Sequence, residues 1–479
     1  MQTTDEGKID LAIAVLSTNS ASDGDVHEAI SILATATRTT PAVRERIAEP
    51  LILKNINNLI AREPQGSNPF TATALRCVGN ACIDNDDARQ IVTDAGFSWA
   101  NACLQSSDAQ VRKLTVLVLI NVCMDFEPAQ KQCFEQNLHF LLIAIVEQTA
   151  SFGDDDDDRH YPIELLFWIT TQKDAAQKNL TEAEKEMPAD VLARLLSLPW
   201  LHRSNPNQNG NQPGTDDDDF SMILEVIVTF LRDPVIQRQI VHSQSVNSIW
   251  QMLLLNETRI AALPTDDEDA KSLLISMSTN LTWCLSDIAA NPEFGMSYMT
   301  RSDPVPMASN LISSVEETIA TVGSESAGNT EVWQNSRTAN AACQILGNLL
   351  WGLPVKDTTS YVFDKKLHEP LWRLIATDES ADLMHSAAGL LIQLTRPSTE
   401  CQDEVGSVYD AHAALEQLCE HEKPQVKQDG IRLLKSLGKD CAVNQERFAS
   451  LAKRAMETLS ETAANASTSS EDHITDLSR

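Results

Sequence analysis

Apolar residues recur at helical rather than alternating spacing along this chain. Over 10–16 and again over 26–36 they return every three or four positions, with a polar loop at 18–25 between them. That pattern predicts amphipathic helices with one face turned to a core. Longer apolar runs at 114–124 and 140–146 are too short to cross a bilayer and predict buried helices. Period-two runs that would mark strands are absent. A Pro- and Gly-bearing polar stretch at 64–69 predicts a loop before the next helix.

The helical pattern itself repeats. Residues 75–84 read Leu-Arg-Cys-Val-Gly-Asn-Ala-Cys-Ile-Asp, and 119–125 read Leu-Ile-Asn-Val-Cys-Met-Asp. Asn80 and Asn121, Cys82 and Cys123, Ile83 and Met124, Asp84 and Asp125, Asp86 and Glu127, and Ala88 and Ala129 all stand 41 positions apart. A period of about 40 to 47 residues with helices inside each copy marks armadillo or HEAT repeats, whose units bury their apolar faces only by stacking. Aligning Ala42-Val43-Arg44 with Asp87-Ala88-Arg89 puts Thr35 in the Asn80 position, which predicts an atypical first repeat. In the middle of the chain Trp168 and Val228 take that position. The motif returns with Asp287 in the place of Asn80 and Asn291 in the place of Asp84, then at Ile-Leu-Gly-Asn348. Gly389 and Gly430, again 41 apart, imply two further units. Residues 1–459 are therefore expected to form an all-α, right-handed armadillo/HEAT-type solenoid of roughly nine repeats. Loop insertions are expected at 151–160, 203–219 and 321–335, an acidic loop at 266–269, and a frayed tail at 460–479.

Charge narrows the partners. The chain has 68 Asp and Glu against 37 Lys and Arg, a net charge of −31, and a pI near 4.6. Nucleic acid and anionic membrane surfaces are disfavoured, since both are held by Lys and Arg. Such a field steers cationic partners instead. The N-terminal residues show no secretory signal, and the cysteines lack zinc-ligand spacing, so reduced buried thiols in the cytosol or nucleus are expected.

No phosphate-cradling Gly loop, nucleophile elbow or metalloprotease helix is present, and no two histidines stand at ligand spacing. Neither catalysis nor a cofactor is expected. The Asp runs lack the ligand spacing and Gly turn of an EF-hand, so no metal is expected either. The recurring Asn is the informative residue. On the third helix of each repeat it either presents an amide to an extended peptide or satisfies a backbone group of the neighbouring repeat. Asp84 and Asp125, read as one helical turn beyond Asn80 and Asn121, would add charge to the same face. Trp283 and Trp351 flank Asp287 and Asn348 and either stack on Lys or Arg of a ligand or pack in the core. An apolar interior around Cys77, Val78, Val118, Leu119 and Ile120 is open to the same two readings, a core or a lipid site.

The Gly-Asn dipeptides at 79–80 and 347–348 are similar to the third helices of armadillo proteins. The stretch 84–96, Asp-Asn-Asp-Asp-Ala-Arg-Gln-Ile-Val-Thr-Asp-Ala-Gly, resembles the armadillo GDP-dissociation stimulators of small GTPases, the SmgGDS family. The resemblance covers about 60 residues well and the remainder diffusely. It implies a cytosolic monomer, without an active site of its own, that binds Rho- and Rap-like GTPases by basic, prenylated tails and promotes GDP release. It places Asn80, Asp84, Asn121 and Asp125 in a first-half groove, and Asp287, Asn291 and Asn348 in a second-half groove. The Asp-rich insertions, Trp168 and Val228 depart from the pattern. A nuclear-import adaptor for basic peptides, suggested by the Trp283-to-Asp287 step, an Hsp70 cofactor and a passive scaffold are the alternatives.

Overall fold

The computed structural model describes residues 6–18, 22–62, 69–152, 156–201, 215–263, 267–292, 294, 316, 319, 332–377 and 380–457. Every regular element among them is a helix. The chain divides into two compact units, Met1–Gln239 and Ile240–Arg479, and each is a stack of armadillo/HEAT-type helical repeats.

One repeat shows the logic. Asn85 caps Asp86–Ala95 by accepting from the Ala88 N–H, and Gly96, at φ 81, reverses the chain into Ser98–Leu104. Asp108 then caps the longer Ala109–Cys123. Short polar residues at these starts accept the orphan N–H groups of the first turn. The long third helix recurs through the chain, preceded by helices that are mostly shorter, Leu138–Phe152 and Val246–Ala262 being long as well. In the first unit the third helices are Asp23–Thr39, Pro69–Ala81, Ala109–Cys123, Asp156–Thr171 and Thr215–Leu231. In the second they are Glu268–Ala290, Val332–Gly352, Ala381–Leu394 and Pro424–Gly438. Within each unit every third helix packs on the one before it. These helices account for the nine or so repeats expected from the period.

The core runs between the helices of each repeat. Leu75, Cys77 and Val78 are fully buried, as are Leu119 and Val122 one repeat on, and Trp99, Trp250 and Trp372 are buried whole. All ten cysteines are buried. Burial pushes the Cys77 and Cys343 thiols up to about 12, which leaves them unreactive.

A second regularity explains the Ala-Arg and Ala-Gln pairs that align the repeats. The last carbonyls of a third helix have no intrahelical donor, and a long polar side chain from the next helix supplies one. Arg44 donates to Thr37 O at 2.8 Å, Gln130 to Cys123 O at 2.7 Å, Gln237 to Leu231 O at 2.9 Å and Asn444 to Leu437 O at 3.1 Å. Arg89 does more. Its Nε donates to Cys82 O at 3.1 Å and to Asn121 O at 3.0 Å, so one buried guanidinium ties two repeats together.

The structure corrects three expectations. Asp84 and Asp125 do not continue the helical face of Asn80 and Asn121. The helices end at Ala81 and Cys123, and both aspartates sit in the turns beyond, at φ 53 and 52. Asp tolerates the left-handed region better than most residues, so backbone geometry is a sufficient reason for the repeat. The acidic insertions are also shorter than read. Helices occupy Leu138–Phe152 and begin again at Asp156, at Thr215 and at Val332. Likewise Asp267 is an N-cap and Glu268 and Asp269 lie in the first turn of Glu268–Ala290. Residues 153–155, 202–214, 321–331 and 458–479, with Asp266 and most of the 64–69 loop, lie outside the described residues.

Candidate functional site

The recurring asparagines occupy one position on their third helices, and each is half-buried. Asn80 Nδ2 donates to Ala34 O at 3.3 Å. Asn121 Nδ2 donates to Gly79 O at 3.1 Å, and Asn348 Nδ2 to Ser286 O at 3.0 Å. In each case the acceptor precedes the matching position of the previous repeat, namely Thr35, Asn80 and Asp287. A carbonyl can only accept, so the amide nitrogen is fixed on the neighbouring helix and the amide oxygen is turned away. No group among the described residues donates to the oxygens of Asn80, Asn121 or Asn348. The two sequence readings of the Asn are thus compatible: one end of the amide joins the repeats and the other is left for a donor. Val228, in the same position, is buried, and Trp168 is half-buried.

In the second unit this row borders an open groove of about 510 Å³ between Val332–Gly352 and Ala381–Leu394. Cys343, Gln344, Gly347, Asn348 and Trp351 line one side, and His385, Ser386, Gly389, Leu390 and Gln393 the other. A Cβ added at Gly347 or at Gly389 would meet nothing within 4 Å, so two missing side chains leave the floor empty. Gln344 fixes the walls. It accepts from Ser286 Oγ at 3.5 Å and donates to Ser386 Oγ at 3.3 Å, spanning three third helices.

Trp351 is 66% exposed and Trp283, on the preceding third helix, 61%. Of the two readings of these residues, burial in the core is therefore excluded. Asp287, one helical turn beyond Trp283, is exposed, and no cation among the described residues pairs with it. Asn291 caps the end of that helix, its N–H on Ile288 O at 3.1 Å. Behind the far wall, on Pro424–Gly438, Asp429 is buried and already committed, to His385 Nδ1 at 2.5 Å and to Arg432 at 3.3 Å. What the face offers a ligand is thus one free carboxylate, the amide oxygen of Asn348 and the exposed indoles of Trp283 and Trp351, the second of which already carries the Arg396 guanidinium, 4.4 Å from the ring centroid. That chemistry suits cations.

In the first unit the helices of Asn80 and Asn121 close on each other at Gly79, where an added Cβ would lie 3.0 Å from Val118 Cγ2. The aspartates Asp84 and Asp125 stand exposed at the ends of their helices, and no cation among the described residues pairs with either. Among the described residues no cluster of His, Cys, Asp and Glu could hold a metal ion, and no helix is long and apolar enough to cross a membrane.

Sequence reasoning missed Gln344, His385, Ser386, Gln393 and Arg396. Gln344 had a signal, since it lies one helical turn before Asn348. The others become neighbours of the row only once the register between two helices is known.

Two engineered proteins with crystal structures from the Northeast Structural Genomics Consortium are similar to this chain. One is 15% identical, covering 58% of this chain and 97% of its own, with a TM-score of 0.37. The other is 16% identical, covering 62% and 98%, with a TM-score of 0.38. Likeness at that level fixes neither fold nor function. No curated protein matches the sequence. Residues 32–233, less than half of the chain and all of them in the first unit, match the family model described as the BEM4 N-terminal domain.

Proposed function

We propose that this chain binds small GTPases of the Rho or Rap type through their basic, prenylated C-terminal tails and promotes release of GDP. The observation that carries the reading is the third-helix face of the second unit. There Trp283 and Trp351 expose their indoles, the second beneath the Arg396 guanidinium, and Asp287 and Asn348 present unspent acceptors, on consecutive third helices. An extended basic segment has what those groups lack: backbone N–H donors for the amide oxygen and cations for the carboxylate and the rings. The overall charge of −31 adds steering toward such a segment. Identification of the partner as a GTPase rests on the resemblance of residues 84–96. Exchange then requires only that the chain hold the nucleotide-free conformation more tightly than the GDP-bound one, which needs no reacting side chain.

A second reading, an adaptor for basic peptides with no effect on nucleotide, is favoured by one feature. Trp283 and Asp287 are both exposed and one turn apart, enough to hold a cationic side chain by themselves. Release of labelled GDP from prenylated and unprenylated Rho and Rap proteins, with release of labelled ADP from Hsp70 in parallel, separates these two readings and the Hsp70-cofactor alternative. Accelerated release from a GTPase is expected. Tight binding of nuclear-localisation peptides with no acceleration from any GTPase would establish the adaptor, and release from Hsp70 alone would establish the chaperone cofactor.

A further inference from the structure

Many arginines of this acidic chain find a carboxylate: Arg46, Arg89, Arg194, Arg238, Arg337, Arg432, Arg447 and Arg454 all form ion pairs. Arg396, like Arg38, Arg44, Arg76, Arg112 and Arg373, does not, among the described residues. Its guanidinium lies over the indole of Trp351, 4.4 Å from the ring centroid, and its Nη1 donates to Gln393 Oε1 at 2.8 Å. Both partners line the groove of the second unit. The backbone holds it there. Arg396 follows directly on Ala381–Leu394 and Thr395, its N–H bonded to Gln393 O at 3.3 Å, and Pro397 restricts its own conformation.

We infer that Arg396 is a tethered competitor for the cation subsite on Trp351. Its guanidinium holds the place that an arginine or lysine of an incoming basic segment takes, and it swings into solvent when that segment binds. The inference rests on the proposal that this face binds basic segments. The chemistry of the contact names its rival. A planar cation stacked on an indole, with one N–H on a side-chain amide oxygen, is displaced by another cation and not by an anion or an apolar chain. Because Arg396 is tethered, it competes at a fixed effective concentration, so its removal raises affinity without any new contact. The contact is exposed and worth about 0.5–1 kcal/mol, which sets the expected gain at about two- to five-fold.

The test is titration of a synthetic Arg/Lys octapeptide into the full chain, followed by tryptophan fluorescence, for the wild type, Arg396→Ala, Trp351→Ala and the double variant. Arg396 is exposed, so its replacement leaves the fold in place. Arg396→Ala is expected to bind the peptide about two- to five-fold more tightly than the wild type, and the gain is expected to vanish in the Trp351→Ala background. Binding by Arg396→Ala alone would support the inference still more strongly. A gain that persists without Trp351 would show a mere change of net charge and overturn the inference. Equal or weaker binding by Arg396→Ala would also overturn it, while leaving the basic-segment face standing. If neither the wild type nor Arg396→Ala binds the peptide, both fall together.

Discussion

The dipeptide Gly-Asn occurs on a third helix in each unit, at 79–80 and at 347–348, and the two copies end in opposite surroundings. Both asparagines donate to a carbonyl of the preceding repeat. Their glycines differ. A Cβ on Gly79 would lie 3.0 Å from Val118 Cγ2 and 3.6 Å from Val118 Cα, because the next third helix closes onto it. A Cβ on Gly347 would meet nothing within 4 Å. The neighbour decides. Against Gly79 stand Val118 and Asn121, whereas the helix after Gly347 offers Ser386 and Gly389 and leaves the groove. One local sequence therefore serves close packing in the first unit and an open site in the second.

Substitutions can break that contrast. Gly79→Leu forces branched carbons into Val118 and is expected to cost about 2–3 kcal/mol, read as a lowered midpoint in urea. Gly347→Leu, pointing into open space, is expected to stay within about 0.5 kcal/mol of the wild type in the same experiment. Equal losses at the two positions would erase the difference between the units.

Arg89→Ala removes the donor shared by Cys82 O and Asn121 O and strands two carbonyls, at an expected cost of about 2 kcal/mol. Hydrogen exchange should show the loss first in the amides of Pro69–Ala81 and Ala109–Cys123. Protection unchanged there would show that the guanidinium is dispensable to the stack.

Acid should destabilise the first unit. His139 is buried against Phe134 and Phe230, ring centroids 4.1 and 5.9 Å away, and burial drives its pKa down to about 3. The folded chain keeps this imidazole neutral, while the unfolded chain protonates it below about 6.5. Stability from the neutral ring is thus complete above that pH and is lost as pH falls from about 6.5 toward 3, at up to about 1.4 kcal/mol per pH unit. His139→Phe is expected to remove this slope, measured by urea unfolding between pH 7 and 5. A slope left intact would place the acid sensitivity elsewhere, His368 of the second unit being next, since burial lowers its pKa as well.

A smaller loss is expected at Asn121. Asn121→Ala deletes one hydrogen bond to Gly79 O and should cost about 1 kcal/mol. If it costs nothing, the amide is held for a ligand rather than for the stack.

The repeat itself was legible because stacking units must present apolar faces at a fixed period, and the 41-residue register from Asn80 to Asn121 exposes that period. The same register misled at Asp84 and Asp125. Identity at a repeated position does not distinguish a residue that faces a ligand from one whose backbone must turn at φ near 50. The exposure of Trp283 and Trp351 could not be read either, since an indole at helical spacing fits a core equally well. Least legible was the groove, which consists of two absent side chains, Gly347 and Gly389, brought level by the packing of one helix on the next.

The central claim is that this groove in the second unit receives the basic segment of a partner. It is tested most directly by the affinity of a basic GTPase tail peptide for Gly347→Leu and Gly389→Leu, measured beside their unfolding midpoints. The account predicts that both variants lose about tenfold or more in affinity, equivalent to about 1.4 kcal/mol, with midpoints unchanged. Wild-type affinity with the groove filled would contradict it.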